Sequence, residues 1–537
     1  MATKTCRICV IRLVNDILVV LALVLIIPPA SASEGRIRSN VDAGWRFRLG
    51  EDVEKPYAAE YNDQDWDLVS LPHSESLFPA SMAHFEDHGR NSGWYRREIQ
   101  VPSEWTSKKV FLEFRGAMQT TALWVNGQKA GEYAVSGFDS FGFDITPYIH
   151  TGTNIIAVKV DNRPNAQIPP DGPPRDYILF GGLYRDVFLH VTDPVHVTFP
   201  WEPRQAGVRV TPSTVSEQET TIQAEATVRN DSSQSRKITL LTEIRDRDGK
   251  LASSANGEQD IAPGQEATFT QKCTAIAQPH LWSPNDPYLY QVSTIVRDGD
   301  KELDRVRTPF GVRWVKFDAK KGFFLNGKHL KLIGANYHQT WPFIGNAVPD
   351  GLRRKDAEQM KAMGINWVRL SHYPHDPAFL DMLDELGLMA MEEPPTWMMR
   401  GGSKWMVNLE ASFRSMIRRD RNHPCIILWA ACINHNGAEP ALVRAAKEED
   451  PTRDRGQDTV PIPMNFAPLQ ISGQGALAVE HTGHTFPAER GSRAMKFRTR
   501  DGSVATSINR EYEQAERHWE QVNAAYAKED NSGLAVW

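Results

Sequence analysis

Residues 367–391 have the sequence WVRLSHYPHDPAFLDMLDELGLMAM, and this stretch decides the class of fold. Its two ends, residues 367–370 and 388–391, are short apolar runs with the length of buried strands. Residues 377–386, between them, have the pattern of a helix. A strand, a helix and a strand in this order predict a β–α–β unit with parallel strands. The surrounding chain is therefore expected to have an α/β fold.

The alternation of strands and helices continues on both sides of this unit. Residues 330–334 are a predicted strand and residues 353–363 a predicted helix. Downstream, residues 425–429 and 476–479 are further apolar runs. The number of units predicts a (β/α)8 TIM barrel over residues 309–537.

The second half of the predicted barrel departs from a regular one. The segment between His435 and Glu480 is short for strands five and six with their helices, so at least one helix there is expected to be missing or very short. Residues 461–466 are a candidate for strand six, and residues 534–537 are the predicted strand eight. No helix follows that strand, so we expect a barrel that is incomplete at its end and a chain that is truncated there.

The chain before the barrel is predicted to be all β. Residues 33–193 contain short alternating apolar runs, and the run at 122–125 is followed by Asn126-Gly127, a strong hairpin signal. This block is predicted to form a jelly-roll-like β-sandwich. Residues 194–308 alternate in the same way, most clearly at 220–228, and predict an immunoglobulin-like β-sandwich. The whole chain is thus a multidomain protein of class β plus α/β.

Composition agrees with a large globular protein that has no nucleic-acid partner. The 537 residues predict about three domains, and 41% are hydrophobic and 24% charged. A net charge of −6 does not suggest the basic face that nucleic acid requires.

The first 32 residues have the pattern of a secretory signal peptide. Lys4, Arg7 and Arg12 precede the apolar run 17–27, and the small residues 30–32 follow as a cleavage site. The run is shorter than a membrane-spanning helix, so we expect cleavage, no stable membrane anchor, and export to the periplasm or the cell exterior. Cys273, Cys425 and Cys432 then remain of five cysteines; their spacing predicts neither a disulfide framework nor a zinc site, and the last two are expected in the core.

Reacting groups of such a barrel come from the C-terminal ends of its strands. Polar residues follow the predicted strands at Asn336 to Gln339, Arg369 to Tyr373, Glu392 and Glu393, Asn434 and His435, and Glu480 to His484. Carboxylates and imidazoles on one rim are the groups that hydrolysis of a sugar acetal requires. The spacings of a His-Glu-x-x-His metal site, a Gly-x-Ser-x-Gly elbow and a phosphate-binding loop are not present, so neither metal nor cofactor is predicted.

Several ordered motifs resemble those of glycoside hydrolase family 2, the family of β-galactosidases, β-glucuronidases and β-mannosidases. In the barrel they are RNHPCIILW at 421–429, RLSHYP at 369–374 and DELGL at 384–388. In the first sandwich they are GWYR at 93–96, LWVNG at 123–127 and FGGLYRDV at 180–187, similar to the sugar-binding domain of the family.

The resemblance implies a retaining double displacement through a covalent glycosyl-enzyme. Glu480 matches the nucleophile at the end of strand seven. His338 and His372 match residues that line the sugar subsite, and Asn434 matches the residue that holds the sugar 2-hydroxyl. Trp537 matches an aromatic platform on strand eight. The expected activity is hydrolysis of terminal β-linked sugars of an oligosaccharide or polysaccharide, with a β-galactoside as the expected substrate.

The residue after Asn434 departs from the family pattern, because His435 stands where the general acid/base Glu is expected. Three interpretations stay open at this point. His435 is itself the acid/base, since an imidazole can transfer protons near neutral pH. Alternatively, another carboxylate such as Glu393 or Glu439 supplies the proton, Glu393 also being a candidate substrate-binding residue. In the third interpretation the protein is a carbohydrate-binding protein that no longer hydrolyses.

Overall fold

The computed structural model describes most of the chain after residue 34. The described residues are 35–51, 53–75, 90–171, 177–202, 207–318, 321–397, 399–433, 437–455, 464–465, 477–481, 519, 523, 527 and 533–536. The predicted signal peptide and the predicted site residues Asn434, His435 and Trp537 lie outside them.

The first domain is a sandwich of two antiparallel sheets. Its strands are β1 (Ile37–Asn40), β2 (Trp45–Leu49), β3 (Asp67–Val69), β4 (Ser92–Val101), β5 (Lys109–Phe114), β6 (Thr120–Val125), β7 (Gln128–Tyr133), β8 (Phe141–Asp144), β9 (Gly152–Asp161) and β10 (Val187–Thr192). One sheet has the order β1-β10-β5-β8 and the other β3-β2-β4-β9-β6-β7. Side chains from both sheets form one buried apolar core, which includes Trp45, Tyr95 and Phe114.

The predicted hairpin of this domain is confirmed. Strands β6 and β7 pair antiparallel, and Val125 lies opposite Gln128 across a two-residue loop. Asn126 and Gly127 have φ angles of 50° and 81°. Positive φ at both loop residues is the geometry that matches the twist of the two strands and that the Asn-Gly sequence favours.

The second domain is an immunoglobulin-like sandwich. Its strands are β11 (Val195–Val197), β12 (Val208–Val215), β13 (Glu219–Asn230), β14 (Arg236–Arg245), β15 (Leu251–Ile261), β16 (Glu266–Lys272), β17 (Ile276–Ala277), β18 (Tyr290–Asp298) and β19 (Lys301–Phe310). Strand β13 pairs with β11, β12, β16 and β17 in one sheet, and the other sheet has the order β15-β14-β18-β19. Alternate residues of β14 are buried, as expected for a strand with one face on the core.

A small three-stranded sheet leads from this domain into the barrel. Its strands are β20 (Val315–Asp318), β21 (Gly322–Leu325) and β22 (Lys328–His329). Phe317 and Phe323 of this sheet are buried and belong to the same apolar core as the barrel strands.

The third domain is a barrel of parallel strands. The elements are β23 (Leu332–Tyr337), α1 (Asp350–Ala362), β24 (Trp367–Leu370), α2 (Pro377–Leu386), β25 (Met389–Glu392), α3 (Ser403–Asp420), β26 (Ile426–Trp429), the short hairpin β27 (Cys432–Ile433) and β28 (Gly437–Ala438), α4 (Pro440–Glu449), β29 (Asp454–Arg455), β30 (Met464–Asn465), β31 (Leu477–His481) and β32 (Gly533–Val536). Eight strands lie in the order β29-β26-β25-β24-β23-β32-β31-β30.

This order confirms two predictions about the second half of the barrel. Strand β32 pairs in parallel with β23, so the eighth strand of the barrel lies next to the first, as predicted. Strand β30 lies within the proposed segment 461–466 and pairs in parallel with β31. Between the fourth and fifth strands, helix α4 is present.

The predicted β–α–β unit is observed with small shifts. Strand β24 and helix α2 have the predicted bounds. Asp376 caps α2 by accepting a hydrogen bond from the Ala378 amide at 3.0 Å, and Gly387 ends the helix with a φ of 70°. The first barrel strand, β23, both begins and ends later than the predicted 330–334. It includes Asn336 and Tyr337, which we expected in the following loop.

The first sandwich and the barrel are joined by buried polar contacts. The Arg185 guanidinium of the sandwich donates to the Gln339 side chain at 3.0 Å and to the Pro374 carbonyl at 2.6 Å. The Asp376 carboxylate lies 3.1 Å from Arg353 and 3.8 Å from Arg185. The sandwich therefore packs against the loops at the C-terminal end of the barrel. None of the described helices is long and apolar enough to cross a membrane.

Candidate active site

The register of the parallel ladder aligns the strand ends that carry the predicted site residues. Asn336 lies opposite Arg369 across β23 and β24, and Leu370 lies opposite Glu392 across β24 and β25. On the other side, Ala335 lies opposite Val536, which itself lies opposite His481. Strand β31 ends at His481, so Glu480 is the second-last residue of strand seven, on the strand that pairs with β32 beside β23.

A buried cluster joins the second and third strand ends. Arg369 binds Glu393 through its Nε, and its Nη1 donates to the Asn336 side-chain oxygen at 3.0 Å. The second carboxylate oxygen of Glu393 lies 3.0 Å from Nδ1 of His372. Arg369 and His372 are fully buried, and Glu393 is 6% exposed. The three side chains thus form one rigid group beneath a small cleft whose lining includes Thr396.

The charge of Glu393 follows from this arrangement. Burial alone would raise the pKa of Glu393, but the Arg369 guanidinium and the His372 imidazole lower this pKa to about 2. Glu393 is therefore an anion at neutral pH and holds no proton to donate. This finding argues against Glu393 as the substitute proton donor, while its role in substrate binding stays a prediction.

The anionic Glu393 also orients the His372 ring. Nδ1 of His372 lies 3.0 Å from a Glu393 oxygen and 3.2 Å from Nη2 of Arg369. Both members of the ion pair therefore hold the His372 ring in place, next to His338.

Glu392 and Glu393 are adjacent in sequence but have opposite surroundings. Glu392 is fully buried and faces helix α3, where its carboxyl lies 3.4 Å from the Arg419 guanidinium. Burial and the nearby Asp420 charge raise the pKa of Glu392 well above its usual range. Successive strand residues point to opposite faces, so only Glu393 reaches the inner side of the strand end.

His338 is surrounded by aromatic rings from two domains. Its Nδ1 lies 3.0 Å from the Tyr373 hydroxyl, and its ring centre lies 5.3 Å from that of His372. Tyr177 of the first sandwich lies 5.6 Å from His338 and 6.2 Å from His372, measured between ring centres. The Tyr177 hydroxyl donates to the Thr396 carbonyl at 3.1 Å. The two histidines predicted for the sugar subsite are therefore neighbours.

Of the remaining predicted residues, Glu439 is described and has a cationic partner. Its carboxylate binds Arg400 at 2.6 Å, just before helix α4. Glu480 lies on the described backbone of β31, whereas Asn434, His435 and Trp537 lie outside the described residues. The assigned roles of these four residues stay predictions.

Each domain of the chain matches a family model. Residues 39–194 match the sugar binding domain of glycosyl hydrolases family 2, residues 205–313 match the model described as glycosyl hydrolases family 2, and residues 316–456 match the TIM barrel domain of that family. The chain belongs to glycoside hydrolase family 2. The family 2 domain order found here is the one that the motifs implied.

Curated relatives in family 2 have two different specificities. The chain is 35% identical over 428 residues to a β-galactosidase of Thermoanaerobacter pseudethanolicus, covering 79% of this chain and 55% of the relative. It is 32% identical over 415 residues to a β-glucuronidase of Formosa agariphila, covering 74% of this chain and 42% of the relative. The chain thus spans about half the length of these curated relatives.

Solved family 2 structures superpose on nearly all of the chain. A β-glucuronidase from glycoside hydrolase family 2 gives a TM-score of 0.82 at 27% identity, covering 94% of this chain and 56% of that one. The β-glucuronidase of Bacteroides uniformis gives 0.79 at 27% identity, covering 94% and 64%. These similarities support the three-domain architecture, and they do not separate galactosides from glucuronides.

The sequence analysis named Arg369 among the polar residues of the strand ends without assigning it a role, and it missed Tyr177. Arg369 lies in the motif at 369–374, but nothing local shows that its guanidinium binds Glu393. Tyr177 lies in a different domain, far from His338 in sequence, and no spacing connects the two. The pairing of Arg369 could have been expected from its place inside an apolar barrel strand, since buried charges are usually paired.

Proposed function

We propose that this family 2 chain is a retaining glycosidase for terminal β-linked sugars, with Glu480 as the nucleophile. The observation that carries the proposal is that Glu480 is the second-last residue of strand seven, in the same parallel sheet as the strands that carry the Arg369–Glu393–His372 cluster. A carboxylate at that position can attack the anomeric carbon of a sugar held by His338 and His372.

The proposed reaction has two steps. In the first, a Glu480 oxygen bonds to the anomeric carbon while the bond to the leaving oxygen breaks and the His435 imidazolium gives that oxygen its proton. In the second, neutral His435 takes a proton from water, and the water oxygen displaces Glu480 with overall retention. His435 is proposed because Glu393 is ionised by its contact with Arg369.

A β-galactoside is the proposed substrate, as in the 35% identical relative. A glucuronide carries a carboxylate that needs a cation in the sugar subsite. In the described cluster, the Arg369 charge is already neutralised by Glu393. This pairing favours a neutral sugar. The signal-like residues 1–32 support export of the protein as part of the same proposal.

The test is hydrolysis of 4-nitrophenyl β-galactoside, β-glucuronide, β-mannoside and β-glucoside by the wild type, Glu480→Gln and Glu439→Gln. We expect turnover of the galactoside, loss of at least about 1,000-fold in Glu480→Gln, and little change in Glu439→Gln. Equal turnover by Glu480→Gln would show that the nucleophile is another residue. Turnover of the glucuronide alone would correct the proposed sugar.

A second candidate function is carbohydrate binding without hydrolysis, which the replacement of the acid/base Glu by His435 favours. It predicts that the wild type binds galactose-terminated oligosaccharides but releases no nitrophenol, and that His435→Glu gains activity. If His435 is instead the acid/base, the pH–rate profile of kcat/KM should follow the titration of a histidine and change in His435→Glu.

A further inference from the structure

The first loop of the barrel carries an exposed aromatic side chain. The loop runs from His338, directly after β23, to Pro349, directly before α1. Phe343 lies in the middle of it and is 69% exposed. The ring therefore contributes little to the apolar core.

The backbone at Phe343 makes this exposure unusual. Its φ is 69°, in the left-handed region that a bulky side chain rarely adopts. Such a conformation costs about 1–3 kcal/mol, and it persists only where the surrounding structure imposes it. Because the ring gains little burial in return, folding stability does not explain a phenylalanine here.

The surrounding structure does hold this loop in place. Trp341 and Gly345 exchange two backbone hydrogen bonds, both of 3.0 Å. The indole of Trp341 donates to Asp356 of helix α1 at 2.9 Å. On the other side, the Ser74 hydroxyl of the first sandwich donates to the Ile344 carbonyl at 3.1 Å. The loop is thus anchored to both the barrel and the sandwich.

The loop also contacts the part of the sandwich that reaches the candidate site. Gly345 packs so closely on the Phe180 ring that a Cβ there would lie 2.7 Å from it. Phe180 follows three residues after Tyr177, whose ring packs against His338 and His372. Phe343 therefore lies on the loop that begins at His338, and this loop contacts the same sandwich segment as Tyr177.

We propose that Phe343 is a stacking platform for the leaving-group side of the substrate. The inference rests on the proposed glycosidase function, in which the terminal sugar occupies the subsite near His338 and His372. The part of the substrate beyond the scissile bond must then extend toward solvent. An aromatic face held rigidly on the loop that begins at His338 can stack on an aryl ring or on the apolar face of a second sugar. Phe343 would thus determine leaving-group preference without touching the terminal sugar.

The experiment compares leaving groups on one glycone. The wild type, Phe343→Asn and Phe343→Trp are assayed with methyl and 4-nitrophenyl β-galactoside and with a β-galactosyl disaccharide. Asparagine tolerates the left-handed backbone, so Phe343→Asn removes the ring without adding strain. Met363→Ala is the control, because Met363 is also highly exposed but lies at the far end of α1.

We expect kcat/KM of Phe343→Asn to fall about 3- to 10-fold for the aryl galactoside and the disaccharide, and to stay within twofold for the methyl galactoside. Phe343→Trp should retain the wild-type kcat/KM for the aryl galactoside and the disaccharide. Met363→Ala should match the wild type on all three substrates. An equal loss on all three substrates, or no loss on any, would overturn the platform while leaving the glycosidase intact.

The outcome stays decisive if the wild type does not hydrolyse these substrates. In that case the proposed function fails, and binding of 4-nitrophenyl and methyl β-galactoside is measured by calorimetry instead. A preference for the aryl ligand that is lost in Phe343→Asn supports the platform. An unchanged preference, no preference or no binding refutes it.

Discussion

The buried ion pair between His423 and Asp384 should make the stability of this protein depend on pH above neutrality. His423 Nδ1 lies 2.6 Å from an Asp384 oxygen, and the other oxygen accepts the Cys425 amide at 2.8 Å. Burial alone would lower the pKa of His423, but the Asp384 charge and hydrogen bond raise it to about 9. The pair ties the end of helix α2 to the segment that enters β26.

The size of the effect follows from the difference between the two states. An unfolded histidine has a pKa of about 6.5, so a folded pKa of about 9 corresponds to about 3 kcal/mol of stabilisation. The folded pKa is the higher one, so this stabilisation is fully present below about pH 6.5 and is lost as the pH rises through 9. The steepest slope is about 1.4 kcal/mol per pH unit.

The assay is urea unfolding of the wild type and Asp384→Asn at intervals from pH 6 to 10. Asparagine keeps an oxygen for the Cys425 amide but removes the charge that holds the proton on His423. We expect the difference in the free energy of unfolding to be about 3 kcal/mol at pH 6.5 and to shrink toward zero by pH 10. Burial lowers the pKa of His73 and His196 to about 4, but both titrate in wild type and variant alike, so their effect cancels.

The control is Glu385→Gln, next to Asp384. Glu385 makes an exposed ion pair with Arg354 at 2.8 Å, so its loss should cost at most about 1 kcal/mol and add no comparable slope. Parallel stability curves for the wild type and Asp384→Asn between pH 6.5 and 9 would refute the reasoning, because His423 would then carry no raised pKa.

Two further substitutions test how the domains are joined. Asp376→Asn keeps the cap of helix α2 but removes the carboxylate that the buried Arg353 and Arg185 share, while Asp350 stays 3.0 Å from Arg353. We expect a loss of about 3 kcal/mol in urea unfolding at pH 7. In Gly387→Ala a Cβ would lie 2.7 Å from the Pro284 carbonyl oxygen, in addition to the cost of a φ of 70°. Gly387→Ala should therefore lower the thermal midpoint more than Gly364→Ala, where φ is 83° and nothing lies within 4 Å; equal shifts would exclude a role for the contact.

Local sequence patterns predicted several elements of this protein. The bounds of β24 and α2 agree with the apolar pattern, and the Asn126-Gly127 hairpin follows from two positions that need positive φ. The eighth strand was also predictable. The apolar run 534–537 follows seven predicted strands, and the eighth strand of a (β/α)8 barrel pairs between the seventh and the first. These features depend on residues close together in the chain.

The charge states of the candidate site depended on contacts that no local pattern contains. Glu392 and Glu393 are the same residue type one position apart, yet burial beside Asp420 raises the pKa of Glu392, while Arg369 lowers that of Glu393. Which carboxyl is ionised is set by what the fold places against each face of the strand.

Local motifs were thus enough to give the family, the order of the three domains and the strand ends that carry the candidate site. Contacts between distant segments were needed to show that Arg369 pairs with Glu393 and that Tyr177 of another domain lies beside His338 and His372. The exposure of Phe343 also followed only from the folded chain. The physical reason is that periodicity and turn preferences act between neighbours in the chain, whereas electrostatic and packing energies act between neighbours in space.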